Sequence, residues 1–152
     1  MNPPRVTSVN STPDSPKWPR WGVIAVVYQP PHFLVIRRSE QVRAPGAFCF
    51  PGGGVEKGET EEIALAREME EELSASIQIV GRVWENQTPS GTRLGWWQAH
   101  LRDAAQLQAN PAEVAEIHWL TVPEILDLPD LLPTNRDFLA GFEAGNIQLK
   151  SN

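Results

Sequence analysis

The stretch FPGGGVEKGETEEIALAREMEEELSAS, residues 50 to 76, sets eight glutamates directly behind three consecutive glycines. From Thr60 to about Leu73 the pattern is helical, with Thr60 suited to the N-cap and Glu61 and Glu62 in the first turn, where the helix dipole favours negative charge. Each residue turns about 100°, so Glu68, Glu71 and Glu72 project within a sector of about 100° and share one face. Ile63, Ala66, Met69 and Leu73 point to roughly the opposite side and are expected to supply the apolar stripe that meets the core.

Such an acid-rich face needs a cause, because like-charge pairs at i, i+4 each destabilise a helix by about 0.2–0.5 kcal/mol. Solvation alone could explain an isolated E-x-x-E-E. The glycines in front argue for more: Gly52, Gly53 and Gly54 follow Pro51, and Gly58 precedes the helix, so a permissive loop is expected to bring backbone groups up to a metal or a phosphate. Hard divalent cations such as Mg²⁺ take carboxylate oxygens and keep positions open for water and substrate phosphates. Loop, helix and acids read together as one site.

Outward from this segment, WGVIAVVY (21–28) and FLVIRR (33–38) are apolar, β-branched runs around a QPPH turn, and FCF (48–50) is a short buried segment. SIQIVGRVWE and TRLGWWQAHL read as strands joined through NQTPSG, and EIHWLTV (116–122) as a further strand. PEILDL reads as a short helical turn. TNRDFLAGFEAG reads as a closing helix, with Thr134 or Asn135 near its start and Gly145 beyond its end. Strands on both sides of a central helix, with another helix at the end, give a mixed α/β or α+β class. Residues 1–17, rich in Pro, Ser, Asn and Thr, are expected to be a flexible arm, and 18–148 one folded domain.

The 152-residue length suits a single domain with a real core. Thirteen Lys and Arg against nineteen Asp and Glu, a net charge of -6, argue against sequence-independent binding to a nucleic-acid backbone. An acidic protein that handles phosphates would need metal ions. The single cysteine, Cys49, cannot form an internal disulfide and fits a reducing compartment; with no signal-peptide h-region and no membrane-length apolar run, a cytoplasmic protein is expected.

The 50–76 segment resembles the Nudix hydrolase family, whose box reads G-x5-E-x7-R-E-U-x-E-E-x-G-U, with U a bulky aliphatic residue. Gly53 matches the first glycine and Glu59 the first glutamate; Arg67, Glu68, Met69, Glu71 and Glu72 match the core of the box. Ser74 stands where the family has its last glycine, at an expected cost of about 1 kcal/mol in the helix's C-terminal turn, and Ala75 is small for the final U. The resemblance implies an α/β/α sandwich with a mixed sheet between helices and Mg²⁺-dependent hydrolysis of a diphosphate linkage in a nucleoside diphosphate derivative, Mn²⁺ being an alternative ion. It implies that Glu68, Glu71 and Glu72, with the Gly52 carbonyl, hold the metal, that Arg67 orients the carboxylates through Glu71, and that Glu59 supports them. Glu116 is expected as general base, with Glu113 the second candidate; His118 offers only its side-chain chemistry.

For the substrate, LPTNRDFLAGF resembles a segment of the MutT branch, which removes oxidised guanine nucleotides, with Asn135 at the base-recognising position and Arg38 at a phosphate-contacting one. An N-cap role for Asn135 is the alternative. Pro89 lies close to a proline characteristic of ADP-ribose pyrophosphatases. Trp84, Trp96, Trp97 and Trp119 could stack on a base, although strand alternation sends Trp96 and Trp97 to opposite faces. A (deoxy)nucleoside triphosphate, cleaved to the monophosphate and pyrophosphate, is expected ahead of ADP-ribose or a nucleotide sugar. A catalytically silent binding module of this fold and an isoprenoid diphosphate isomerase are the readings from other classes. A small-molecule partner, no nucleic-acid polymer, no membrane, and a monomer or homodimer complete the expectation.

Overall fold

The computed structural model describes residues 20–151; the arm expected over 1–17 and the domain start expected at Trp18 lie outside them. Eight strands and three α-helices follow in the order β1 (Trp21–Val26), β2 (Tyr28–Gln29), β3 (His32–Arg38), β4 (Phe48–Cys49), β5 (Gly52–Gly54), α1 (Glu61–Leu73), β6 (Ile77–Gln87), β7 (Arg93–Leu101), β8 (Val114–Leu120), α2 (Val122–Leu126) and α3 (Pro133–Glu143). This is the expected mixed α+β class.

The strands form two four-stranded sheets. One runs β5-β1-β7-β6, with β1 and β7 parallel and the other neighbours antiparallel. In the other, β3 pairs antiparallel with β8 along one edge and with β2 and β4 along the other. The two-residue period of a strand divides its side chains between two cores. Val23 and Ala25 of β1, with Leu34 and Ile36 of β3, face α1 through Leu65, Met69 and Leu73. Val26, Phe33, Val35 and Trp96 face the other way, towards Ile125, Phe138 and Leu139 of α2 and α3. Among the described residues no helix is long and apolar enough to cross a membrane.

Two local expectations change. The triple glycine is the edge strand β5, with Gly52, Gly53 and Gly54 opposite Ile24, Val23 and Gly22, and not a loop. The inner face of α1 is Ala64, Leu65, Glu68, Met69, Glu72 and Leu73, while Ile63 is 55% exposed and Ala66 lies in solvent. An apolar wheel places the stripe about one residue off because it leaves out carboxylates, and two of them lie inside the buried sector.

The ends of α1 follow local chemistry. Thr60 caps the N-terminus by accepting the Ile63 N–H at 3.2 Å. At the C-terminus Ser74 takes the left-handed conformation of the missing glycine, φ 53° and ψ 32°, and its N–H donates to Glu70 O at 3.0 Å. The chain's last described stretch packs on β7, where the buried Gln98 carboxamide both donates to and accepts from the Lys150 backbone, at 2.7 and 2.8 Å.

Candidate active site

Strand β5 lies so close to its neighbours that glycine is required: a Cβ at Gly53 would overlap the Glu68 carboxylate of α1, and one at Gly52 the Val23 carbonyl of β1. This contact forms one wall of a cleft of about 360 Å³. Glu68, Glu72 and Glu113 line it, and each offers a carboxylate oxygen within 4.8 Å of the others. Glu68 and Glu72 are 9% and 5% exposed. Burial raises both carboxyls, Glu72 up to about 9, and the neighbouring Glu68 and Glu113 charges push Glu72 the same way; for Glu68 the Arg67 charge opposes the rise.

Glu72 Oε1 is buried without a hydrogen-bond partner among the described residues. An orphaned buried carboxylate oxygen costs free energy unless something pairs with it. The all-oxygen donor set fits a hard divalent cation, which would supply that partner and offset the mutual repulsion.

Arg67 ties the neighbouring acids into a frame. Its guanidinium meets Glu59 through Nε at 2.7 Å and Nη2 at 2.9 Å, Glu68 at 3.1 Å, Glu71 at 3.3 Å and the Gly54 carbonyl at 2.9 Å. Those bonds raise Arg67 further and pull the Glu59 carboxyl down to about 2, helped by the Glu56 N–H. Glu71 is half exposed, outside the Glu68–Glu72–Glu113 cluster, and its side chain reaches the frame through Arg67. The side chain expected to join the ligand set thus lies beside it, one helical step round from Glu72.

Glu116 is not part of the cleft. It stands on β8 beside His118 at 2.7 Å and Arg37 at 3.0 Å, and the hydrogen bonds to these two side chains, His118 first, hold its carboxyl low. The carboxylate that enters the cleft from this segment is Glu113, just before the strand begins. Local geometry decides it: residues 110–114 form a turn closed by the Glu113 and Val114 N–H groups on Asn110 O, which turns Glu113 inward before β8 alternation takes over.

At the other end of the cleft, Asn135 is 2% exposed, and its Oδ1 accepts the Phe50 N–H at 2.8 Å. It is not the N-cap of α3; that position is Leu132, with Pro133 first in the helix. Because Phe50 is the donor, Oδ1 is fixed as acceptor, and the amide nitrogen, unbonded among the described residues, faces the lining. Arg38 and Arg43 line the same cleft, and Arg38 Nε donates to the Arg43 carbonyl at 2.5 Å. Burial and the Arg38 charge lower Arg43.

None of the four tryptophans considered for stacking lines the cleft. Trp84 and Trp96 pack on Phe138, Trp97 Nε1 donates to Glu61 at 2.7 Å, and Trp119 packs in the α1 core. Phe50 is the aromatic residue present in the lining. Pro89 sits in the β6–β7 turn, whose Thr88, Ser90 and Thr92 form part of the rim. Sequence reasoning passed over Arg43, which enters the lining because backbone bonds from Gly46 and Ala47 tie its segment back to Arg38, a contact the sequence does not show.

The family model for the NUDIX domain matches residues 18–142. The chain is a Nudix hydrolase. It is 32% identical over 111 residues to a Mycobacterium tuberculosis protein whose name proposes 8-oxo-dGTP diphosphatase activity, covering 70% of this chain and 76% of that one. It is 30% identical over 107 residues to the NAD-capped RNA hydrolase NudC of Deinococcus radiodurans, covering 70% of this chain but 38% of that relative. The solution structure of the E. coli ORF135 protein superposes with a TM-score of 0.65 at 29% identity, covering 83% of this chain and 89% of that one. This Nudix hydrolase is therefore a pyrophosphohydrolase of the class that acts on small nucleotide substrates. Its acidic cluster is of the kind that holds a divalent metal.

Proposed function

We propose that this Nudix hydrolase cleaves a (deoxy)nucleoside triphosphate to the monophosphate and pyrophosphate, with Mg²⁺, or Mn²⁺ in its place, as the ion. Asn135 carries this reading: a buried carboxamide, locked in orientation by Phe50, presents N–H donors in the cleft that holds the carboxylates at its other end. Those donors suit the carbonyl and ring-nitrogen acceptors of a guanine-type base edge. Similarity to the mycobacterial relative supports the same class.

Glu68, Glu72 and Glu113, with the Gly52 carbonyl, would hold the ion, which neutralises phosphate charge and lowers the pKa of water at the site. Arg67 and Glu59 fix the direction of the Glu68 and Glu71 carboxylates. Arg38 and Arg43 set positive charge where substrate phosphates enter an otherwise acidic cleft. Glu116, bonded to His118 and Arg37, stands outside the cleft lining, and Glu113, the second candidate for the base, stands inside it. Buried Cys49, at the cleft floor, suits a reducing, cytoplasmic setting.

The test is turnover with Mg²⁺ across nucleoside triphosphates (8-oxo-dGTP included), ADP-ribose, NADH and dinucleoside polyphosphates, repeated with Asn135→Asp. Aspartate keeps the oxygen that Phe50 needs and removes the donors. Pyrophosphate from a guanine-type triphosphate, with kcat/KM falling about 10–100-fold in the variant, is the expected result. AMP from ADP-ribose or NADH, with triphosphates untouched, overturns the reading.

A further inference from the structure

Helix α1 ends without a basic residue in its last turn and with a serine in place of glycine, yet its terminal carbonyls are all met. Met69 O and Glu70 O accept from Ala75 and Ser74. The next three are met by a segment more than thirty residues away: Asn110 Nδ2 donates to Glu71 O at 3.3 Å, Asn110 N–H to Glu72 O at 2.9 Å, and Gln108 N–H to Leu73 O at 2.9 Å. Residues 108–110 thus cap the helix that carries Glu68 and Glu72.

The same Asn110 faces the third carboxylate. Its Nδ2 also donates to Glu113 Oε2 at 3.3 Å, its Oδ1 accepts the Ala112 N–H at 3.1 Å, and its carbonyl accepts the Glu113 and Val114 N–H groups at 2.9 and 2.8 Å. Ser39 secures the turn from outside, its N–H donating to Glu113 O at 3.0 Å and its Oγ to Ala112 O at 2.9 Å. Glu113 is carried by a turn and not by the helix, so the Asn110 bond is what ties its carboxylate to the end of α1.

We propose that Asn110 is a positioning residue of the active site: one carboxamide joins the end of α1 to Glu113 and sets the separation of the three carboxylates. This rests on the reading of Glu68, Glu72 and Glu113 as the cation-holding set. Outer hydrogen bonds of this kind typically change metal affinity about 10–100-fold.

Asn110→Asp separates positioning from folding. The aspartate keeps an oxygen for the Ala112 N–H and all backbone bonds, but sets an oxygen against Glu71 O and Glu113. Mn²⁺ alone, titrated into the full chain and read by electron paramagnetic resonance, is expected to bind about tenfold more weakly, with the melting midpoint little changed. Added negative charge would by itself tighten cation binding, so a loss reports geometry. In a Glu113→Gln background the same substitution should cause no further loss, because the oxygen it misplaces carries no charge.

An equal loss with and without the Glu113 carboxylate, or tighter binding, overturns the proposal while leaving the cation site standing. If Glu113→Gln alone leaves Mn²⁺ affinity unchanged, the three-carboxylate reading itself falls. Asn110→Ser, which can still cap Ala112 but cannot span Glu71 O and Glu113, must give the same non-additive loss; normal affinity in a folded Ser variant also overturns the proposal.

Discussion

Two glutamates on one face of α1 are buried for opposite reasons. Glu61, Glu68 and Glu72 lie within about 40° of one another around the helix axis. Glu61, at the N-terminal end with a side chain 11% exposed, is fully answered: Trp21 Nε1 and Trp97 Nε1 each donate to it at 2.7 Å, and Arg82 stands at 3.5 Å. Glu72, at the C-terminal end, keeps an oxygen with no partner among the described residues. A buried carboxylate with its bonds complete holds structure together, whereas one left short at a cleft wall marks where a ligand belongs. One helix thus docks at one end and, on the proposed function, carries the ion-holding carboxylates at the other.

The largest test of that contrast is Glu72→Gln. It should lower kcat by about 10³-fold or more, while the metal-free protein melts no earlier than the parent. Retained turnover would break the contrast at its functional end. Glu61→Ala should do the reverse, costing about 3 kcal/mol of stability in denaturant titrations by leaving two indole N–H groups and Arg82 without their acceptor. Its Mn²⁺ affinity, measured on the folded protein, should stay within about threefold; a loss like that of Glu72→Gln would show that the two ends are not separable.

A pH series sharpens the comparison. The folded Glu72 carboxyl is raised to about 9, so the folded state binds the extra proton. Stability from this group is complete below the unfolded value near 4.5 and declines as pH rises towards 9, by at most about 1.4 kcal/mol per unit. Glu59, drawn down to about 2, acts oppositely, and its contribution is lost as pH falls from 4.5 towards 2. Thermal melts of metal-free protein should therefore decline from pH 5 to 9; Mg²⁺ or Glu72→Gln should flatten the decline. A flat metal-free profile would contradict the burial argument. The smallest effect is Ser74→Gly, expected to raise stability by up to about 1 kcal/mol by relieving a left-handed serine, with kcat unchanged.

What the sequence revealed here depended on distance along the chain. The strands and α1 with its Thr60 cap rest on neighbours within one turn or one strand, so local periodicity was enough, whereas the Glu59–Arg67–Glu68 frame, whose first pair is eight residues apart, was legible only through the family resemblance. The rotation of α1 was not legible: counting apolar residues turned Ile63 inward, because two carboxylates, Glu68 and Glu72, complete the inner face against β5. Glu113 and Glu116 are indistinguishable as letters, and a turn fixed by Asn110 and Ser39 decides which enters the cleft. For Asn135 the sequence left base recognition and an N-cap both open, because the Phe50 N–H that takes its oxygen is 85 residues away.

Cys49 carries one more consequence. It is 4% exposed on the cleft floor, and burial pushes its thiol up to about 11, so at neutral pH the folded protein presents almost no thiolate to alkylating reagents. As the chain's single cysteine it is a built-in clock: the labelling rate in native buffer counts how often the floor beneath the carboxylates opens, and its slowing with bound nucleotide measures how firmly substrate closes that floor.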